Sequence, residues 1–200
     1  MKSRADSEST GCENTTRRSG IWYNARQMKC RVTIDGALPR RLGINRAALR
    51  EAAELFAERS AARADVPFRE VTVVLQGDAR SSEVHRAING VDGATDVVTQ
   101  RYDPMPGEAS GVYGELYVNV DQAVRAAPRR RGWNAAKELL LYVAHGMDHL
   151  SGADDLTPEG YSRMRRRELG WLACLSRLRL RATAALGGCR RRGNNGIIRA

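Results

Sequence analysis

The sequence predicts an α/β (α+β) fold, with about four strands packed by about five or six helices. Three observations carry this reading. Short stretches rich in β-branched residues recur along the chain. Longer stretches with helical spacing of apolar residues stand between them. One of the latter, WNAAKELLLYVAHGMDHL, is apolar on several sides, which places it in the middle of the fold as a central helix.

The elements follow in order. CRVTIDG (30–36) alternates and reads as a first strand. INRAALREAAELFAERSAARA has apolar residues at Ile44, Ala48, Ala52, Leu55 and Phe56, the spacing of a helix built from strong helix formers. REVTVVLQG (69–77) is a second, β-branched and central strand. SSEVHRAING predicts a short helix capped by Ser81 or Ser82 and ended by Gly90. ATDVVTQ (94–100) is a third strand, followed by a loop with two prolines and three glycines in RYDPMPGEASGVYG. ELYVNV (115–120) alternates as a half-exposed strand, and Asp121 is expected to cap a short helix that stops before Pro128. After the basic turn PRRRG comes the apolar helix. A last helix opens with Thr157 as cap and Pro158 at its first position. Residues 1–28 are polar and low in hydrophobic content and are expected to be disordered. Residues 186–200 read as a basic, disordered tail, which leaves one domain over 29–185.

The net charge of +10 points to a polyanion as partner. From Arg163 to the C-terminus the chain has eleven arginines against one acid, Glu168, a balance equal to the whole excess. Nucleic acid is the natural candidate, although a solubilising surface would look the same in composition. No apolar run reaches the roughly 18 residues that span a bilayer, and the N-terminus has no apolar signal-like core. A cytoplasmic protein without membrane association is expected. The four cysteines are scattered and form no C-x-x-C pair, so free thiols are expected rather than a disulfide framework.

The chemistry concentrates in HGMDHLSGADD (145–155), which holds two of the three histidines. Residues four apart share one helical face, so His145 and His149 can address a common ion. Asp155 lies too far along for the same turn, but Gly152 tolerates the left-handed conformation that would end the helix and bend the chain back. Two nitrogens and one oxygen suit zinc and leave a fourth position for water, as in catalytic sites. Ligand type also admits manganese, iron and nickel. Asp154 is a weaker alternative for the third ligand, and Asp148 points off the histidine face. One divalent ion, zinc foremost, is therefore expected.

The spacing H-x3-H-x2-G-x2-D is also close to the zinc peptidase pattern, in which a glutamate after the first histidine is the general base. Gly146 stands there, so a peptidase would lack its base. HGMDHLSGADD is more similar to the H-G-x-x-H-L-x-G-x-D-H signature of the YbeY endoribonucleases, bacterial rRNA maturation factors. INGVDGATDVVT resembles that family's R-x-x-(D/K)-x-x-T-(D/N)-V-L-S segment, YGELYVNVDQAV its G-D-I-x-I strand and helix, and MRRRELGWL its M-x-x-x-E segment. Order and spacing agree over 66–175.

The resemblance implies a mixed sheet and metal-dependent cleavage of single-stranded RNA. It also implies a part in maturing the 16S rRNA 3′ end and in ribosome quality control, with the small ribosomal subunit as partner. It assigns the metal ligands to His145, His149 and the position of Asp155, and the family's functional arginine to Arg86. Arg86 would then grip phosphate oxygens and offset developing charge. The chain departs from the family in the aspartate at the third ligand, in Thr99, Gln100 and Arg101 where Ser, Phe and Pro are usual, and in His85 for a usual Tyr. Arg129, Arg130 and Arg131, with Arg165 and Arg166, are candidates to track an RNA backbone. Two other functions stand beside the nuclease: a zinc peptidase-like hydrolase, and a non-catalytic ribosome-binding factor with a structural metal. The oligomeric state is not legible.

Overall fold

The structure, a computed structural model, describes residues 30–63, 67–108, 111–129 and 131–177. The expected disordered ends, 1–28 and 186–200, lie outside the described residues, as do Arg130 and the outer limits of the domain at 29 and 178–185. Four strands and five α-helices follow one another as β1 (Arg31–Asp35), α1 (Arg46–Ala61), β2 (Phe68–Gln76), α2 (Asp78–Asn89), β3 (Val97–Tyr102), β4 (Val112–Asn119), α3 (Val120–Ala126), α4 (Ala135–Leu150) and α5 (Pro158–Arg177). The strands form one mixed sheet in the order β1-β2-β4-β3. β1, β2 and β4 are parallel, and β3 runs antiparallel to β4 at the edge.

The helix α4 is the centre of the molecule. It packs against α1, α3 and α5 and against β3 and β4. Leu139, Leu141, Val143, Ala144, Met147 and Leu150 are all fully buried on it. Two glycines set its height above the sheet. A Cβ on Gly146 would lie 2.8 Å from Leu116 and 3.1 Å from Val97, and one on Gly114 of β4 would lie 2.5 Å from Leu150. With hydrogens at both positions, the last turns of α4 settle directly on β3 and β4.

Helix starts differ from the sequence reading at two places. The α2 helix begins at Asp78 straight off β2, with Gly77 as its N-cap residue, not at Ser81 or Ser82. Ser81 is buried inside the helix, where its hydroxyl donates to the carbonyl of Thr95. The α3 helix is capped by Asn119, whose side-chain oxygen accepts from the amides of Asp121 and Gln122, so Asp121 falls in the first turn. In both cases a neighbouring strand ends closer to the helix than local residue preferences suggest. At α5 the expected start holds, with the Thr157 hydroxyl accepting from the amide of Gly160. Among the described residues no helix is long and apolar enough to cross a membrane.

Candidate metal centre

The last two turns of α4 carry His145 and His149 on one face, and their rings meet edge to face with centroids 4.5 Å apart. The helix ends where the sequence places its end. Gly152 has φ +82°, in the left-handed region, and its amide and that of Ala153 donate to the carbonyls of His149 and Asp148. The reversal brings Asp155 back over the helix end. The Nε2 atoms of the two histidines are 3.2 Å apart. Asp155 places one carboxylate oxygen 3.5 Å from His145 Nε2 and the other 3.7 Å from His149 Nε2.

The hydrogen bonds behind the rings fix what these nitrogens are. His145 Nδ1 donates to Glu168 Oε1 at 2.7 Å, and His149 Nδ1 donates to the carbonyl of Ala153 at 3.0 Å. A carbonyl can only accept, so the Nδ1 of His149 holds the proton and its Nε2 presents a lone pair. The Glu168 carboxylate imposes the same tautomer on His145. With both Nδ1 atoms held by acceptors, the two Nε2 atoms face each other at 3.2 Å, with a carboxylate alongside. A divalent cation shared by the three groups satisfies that arrangement, as a proton on one of the two Nε2 atoms also does. Donors at the ~2.0–2.2 Å bond lengths of a tetrahedral zinc site stand about 3.3–3.6 Å apart, close to the edges of the triangle. The three side chains fit one divalent ion, and among the described residues they are the group that can hold one. All three are partly exposed, so an ion held there would be reachable from solvent.

Burial works against protonation of His145, but Glu168, with smaller contributions from Asp96 and Asp155, outweighs it and leaves the pKa raised. Glu168 is fully buried on α5, with Arg165 Nη1 3.2 Å from its other oxygen. In the sequence, Glu168 stands out only as part of the M-x-x-x-E segment. Its role as the partner behind His145 depends on how α5 crosses α4, for which no local pattern exists. Asp148, set aside above as a ligand, is fully buried, and its oxygens accept three hydrogen bonds from Arg167 at 2.5–3.1 Å. Asp154 accepts from the amide of Leu156 and takes no part in the triangle.

The other candidate residues lie apart from the triad. Arg86 is exposed on α2, and its Nε donates to the exposed Asp92 at 2.5 Å. Counted back from Thr95 and Asp96, the arginine position of the resembled segment falls on Asn89, one helical turn beyond Arg86 on the same helix. His85 Nδ1 lies 2.9 Å from the carbonyl of Gly93. Arg129 and Arg131 sit in the exposed turn between α3 and α4. Of the α5 arginines, Arg166 faces solvent, whereas Arg165 and Arg167 turn inward to Glu168 and Asp148. Arg101, at the place of a usual family proline, donates to the carbonyl of Leu150 and so secures the C-terminal end of α4. The peptidase alternative meets a steric barrier as well as a missing base. Gly146 faces the sheet, where a Cβ would already press on Leu116, Val97 and the Thr99 hydroxyl.

Comparison with known proteins agrees with this site. The family model described as endoribonuclease YbeY matches residues 42–176. An endoribonuclease YbeY of an Anaeromyxobacter species is 36% identical over 99 residues, covering 50% of this chain and 50% of that protein. The Thermus thermophilus protein of the same name is 36% identical over 97 residues, covering 48% of this chain and 69% of its own. That of Anaeromyxobacter dehalogenans is 34% identical over 127 residues, covering 64% and 63%. The chain thus spans half to about two thirds of the length of these relatives. A Thermotoga maritima protein solved in solution superposes with a TM-score of 0.49 at 22% identity, over 81% of this chain and 99% of that one. With the family match running over most of the described residues and the His-His-Asp triangle assembled inside it, the chain belongs to the YbeY endoribonuclease family.

Proposed function

We propose that this protein is a metal-dependent endoribonuclease that cleaves single-stranded RNA in the cytoplasm, acting on the 3′ end of the 16S rRNA precursor and on small ribosomal subunits. The domain that does so spans 29–185. The observation that carries the proposal is the pair of Nε2 atoms that meet beside Asp155, within reach of solvent. A divalent ion there, zinc foremost, would supply Lewis acidity towards a phosphate oxygen or a bound water.

The chain's own residues do the rest. Glu168 holds His145 in the tautomer that exposes Nε2, and Ala153 does the same for His149. The turn at Gly152 delivers Asp155. Arg86 enters this reading as an exposed cation on α2 and not through the family's arginine position, which falls on Asn89; its bond to Asp92 joins two exposed groups, and such pairs contribute little. Arg129 and Arg131, together with Arg130, Arg165 and Arg166, supply the cations along which the RNA backbone runs.

Metal analysis of the purified chain, paired with cleavage of single-stranded RNA by wild type and His149→Ala, tests this reading. Wild type should contain one ion per chain and cut the RNA, and the variant should lose both. A metal-loaded wild type that binds ribosomal particles without cutting RNA would instead make this a binding factor with a structural metal.

A further inference from the structure

Beside the triad, α4 floors a second feature. An open cavity of about 360 Å³ lies between the turn before β3, helix α3, and helices α4 and α5, lined among others by Asp96, Gln122, Arg129, Glu138, Tyr142 and Arg165. We propose that this cavity is a subsite for one nucleotide of the RNA strand, with Arg129 and Arg165 on its phosphate and Asp96 and Gln122 on its base. The identification of the ligand as a nucleotide rests on the endoribonuclease reading. The existence of the subsite rests on the cavity.

Its position ties it to the metal centre. Tyr142 precedes His145 by three residues, about 4.5 Å along the helix axis and on the same face. Asp96 adjoins Val97, whose side chain lies 3.1 Å from the place of a Cβ on Gly146, the residue after His145. Arg165 contacts the Glu168 that orients His145. A strand whose reacting phosphate sits at the triad would therefore lay its neighbouring nucleotide along this face of α4.

The lining is mixed in charge, and that selects the ligand. The carboxylate of Asp96, with the buried residue Glu138 beside it in the lining, disfavours a bare anion. Two guanidinium groups beside them disfavour a metal cation. A nucleotide answers both, because it carries an anionic phosphate at one end and a base edge with N–H donors and carbonyl acceptors at the other. The groups are also held in place. Arg165 lies over the Tyr161 ring at 5.4 Å while its Nη1 faces Glu168. The Asp96 carboxylate accepts from the amide of Val97 and the hydroxyl of Thr95. The Gln122 oxygen accepts from Arg125, and its NH2 group makes no hydrogen bond among the described residues, so it is free to donate to a base. The cavity falls in the roughly 300–1,000 Å³ range of small-ligand sites.

The test is a calorimetric titration of the metal-loaded full chain with the four nucleoside 5′-monophosphates and, separately, inorganic phosphate. Wild type, Gln122→Ala and Arg129→Ala are compared, with metal content measured on each. The mononucleotides should bind about tenfold or more tightly than inorganic phosphate. Arg129→Ala should weaken all of them about tenfold at unchanged metal content. Gln122→Ala should weaken the nucleotides and leave phosphate alone. The subsite is refuted if nucleotides bind no better than phosphate, or if both variants match wild type within about twofold. It is equally refuted if binding survives both substitutions and disappears in His149→Ala, since the nucleotide would then sit on the metal itself. An RNA-cleavage assay on the same samples separates the two readings. Cleavage with unaltered nucleotide binding in the variants removes the subsite and keeps the nuclease. Variant-sensitive binding without cleavage does the reverse.

Discussion

Glu168 is the residue on which the site's precision depends. A buried carboxylate behind a ligating imidazole fixes the ring and raises the basicity of its outer nitrogen, and losing such a partner typically costs 10–100-fold in metal affinity. Glu168→Gln keeps the shape and an acceptor for Nδ1 but removes the charge. Its metal affinity, measured by competition with a chromogenic chelator, should fall by about 10–100-fold while circular dichroism stays that of wild type. Equal affinity in the two proteins would show that His145 needs no charged partner. Gly146 is the matching steric constraint. Gly146→Ala pushes a methyl group against Leu116 and Val97, whose side chains would stand 2.8 and 3.1 Å from the new Cβ. Overpacking of this kind costs about 1–3 kcal/mol, which a urea melt would read as a lower midpoint at unchanged slope.

At the scale of elements, the site depends on how helices are tied to strands and to each other. The start of α2 is joined to α3 by Asp78, which accepts two hydrogen bonds from Arg125 and one from Asn119. Arg125, helped by Asn119, holds the Asp78 carboxyl below its ordinary pKa. A depressed folded-state pKa stabilises the protein at pH above the unfolded value near about 3.9. That contribution is lost as pH falls through the lower folded value. Wild type should therefore lose stability towards Asp78→Asn on acidification below roughly pH 4, with the difference between the two melts largest at neutral pH. A difference independent of pH would mean that the pair contributes shape and not charge. The same logic of tying applies at the other end of α4, where Arg101 and the Gly152 turn occupy the terminal carbonyls and leave the reversal to Asp155 well defined.

For the whole molecule, charge is the dominant property. With a net charge of +10, binding to single-stranded RNA should weaken with salt at a slope of about −0.7 per phosphate contact. Three contacts would give a slope near −2, so a fluorescent single-stranded RNA should bind roughly 15–20-fold more weakly at 200 mM than at 50 mM salt. A flat dependence would assign the arginines to solvation alone.

The two imidazoles, the glycine that turns the chain and the carboxylate beyond it lie within eleven consecutive residues. A local pattern with helical periodicity was therefore enough to name the ligands, and the alternation of strand and helix patterns was enough for the α/β class. The starts of α2 and α3 are not legible in local residue preferences, because their caps depend on where the preceding strand stops in the sheet. Glu168 behind His145, the Arg167 pair on Asp148, and the cavity beside α4 were invisible for a related reason. Each joins residues 19 or more positions apart, or several elements at once. Such contacts are decided by the crossing of α5 over α4 and by the depth to which two glycines let α4 sink onto the sheet. Short-range sequence determined which atoms can hold the ion. Only the packing of helices on the sheet decided which protons, charges and walls surround it, because those neighbours are brought together by burial and not by proximity along the chain.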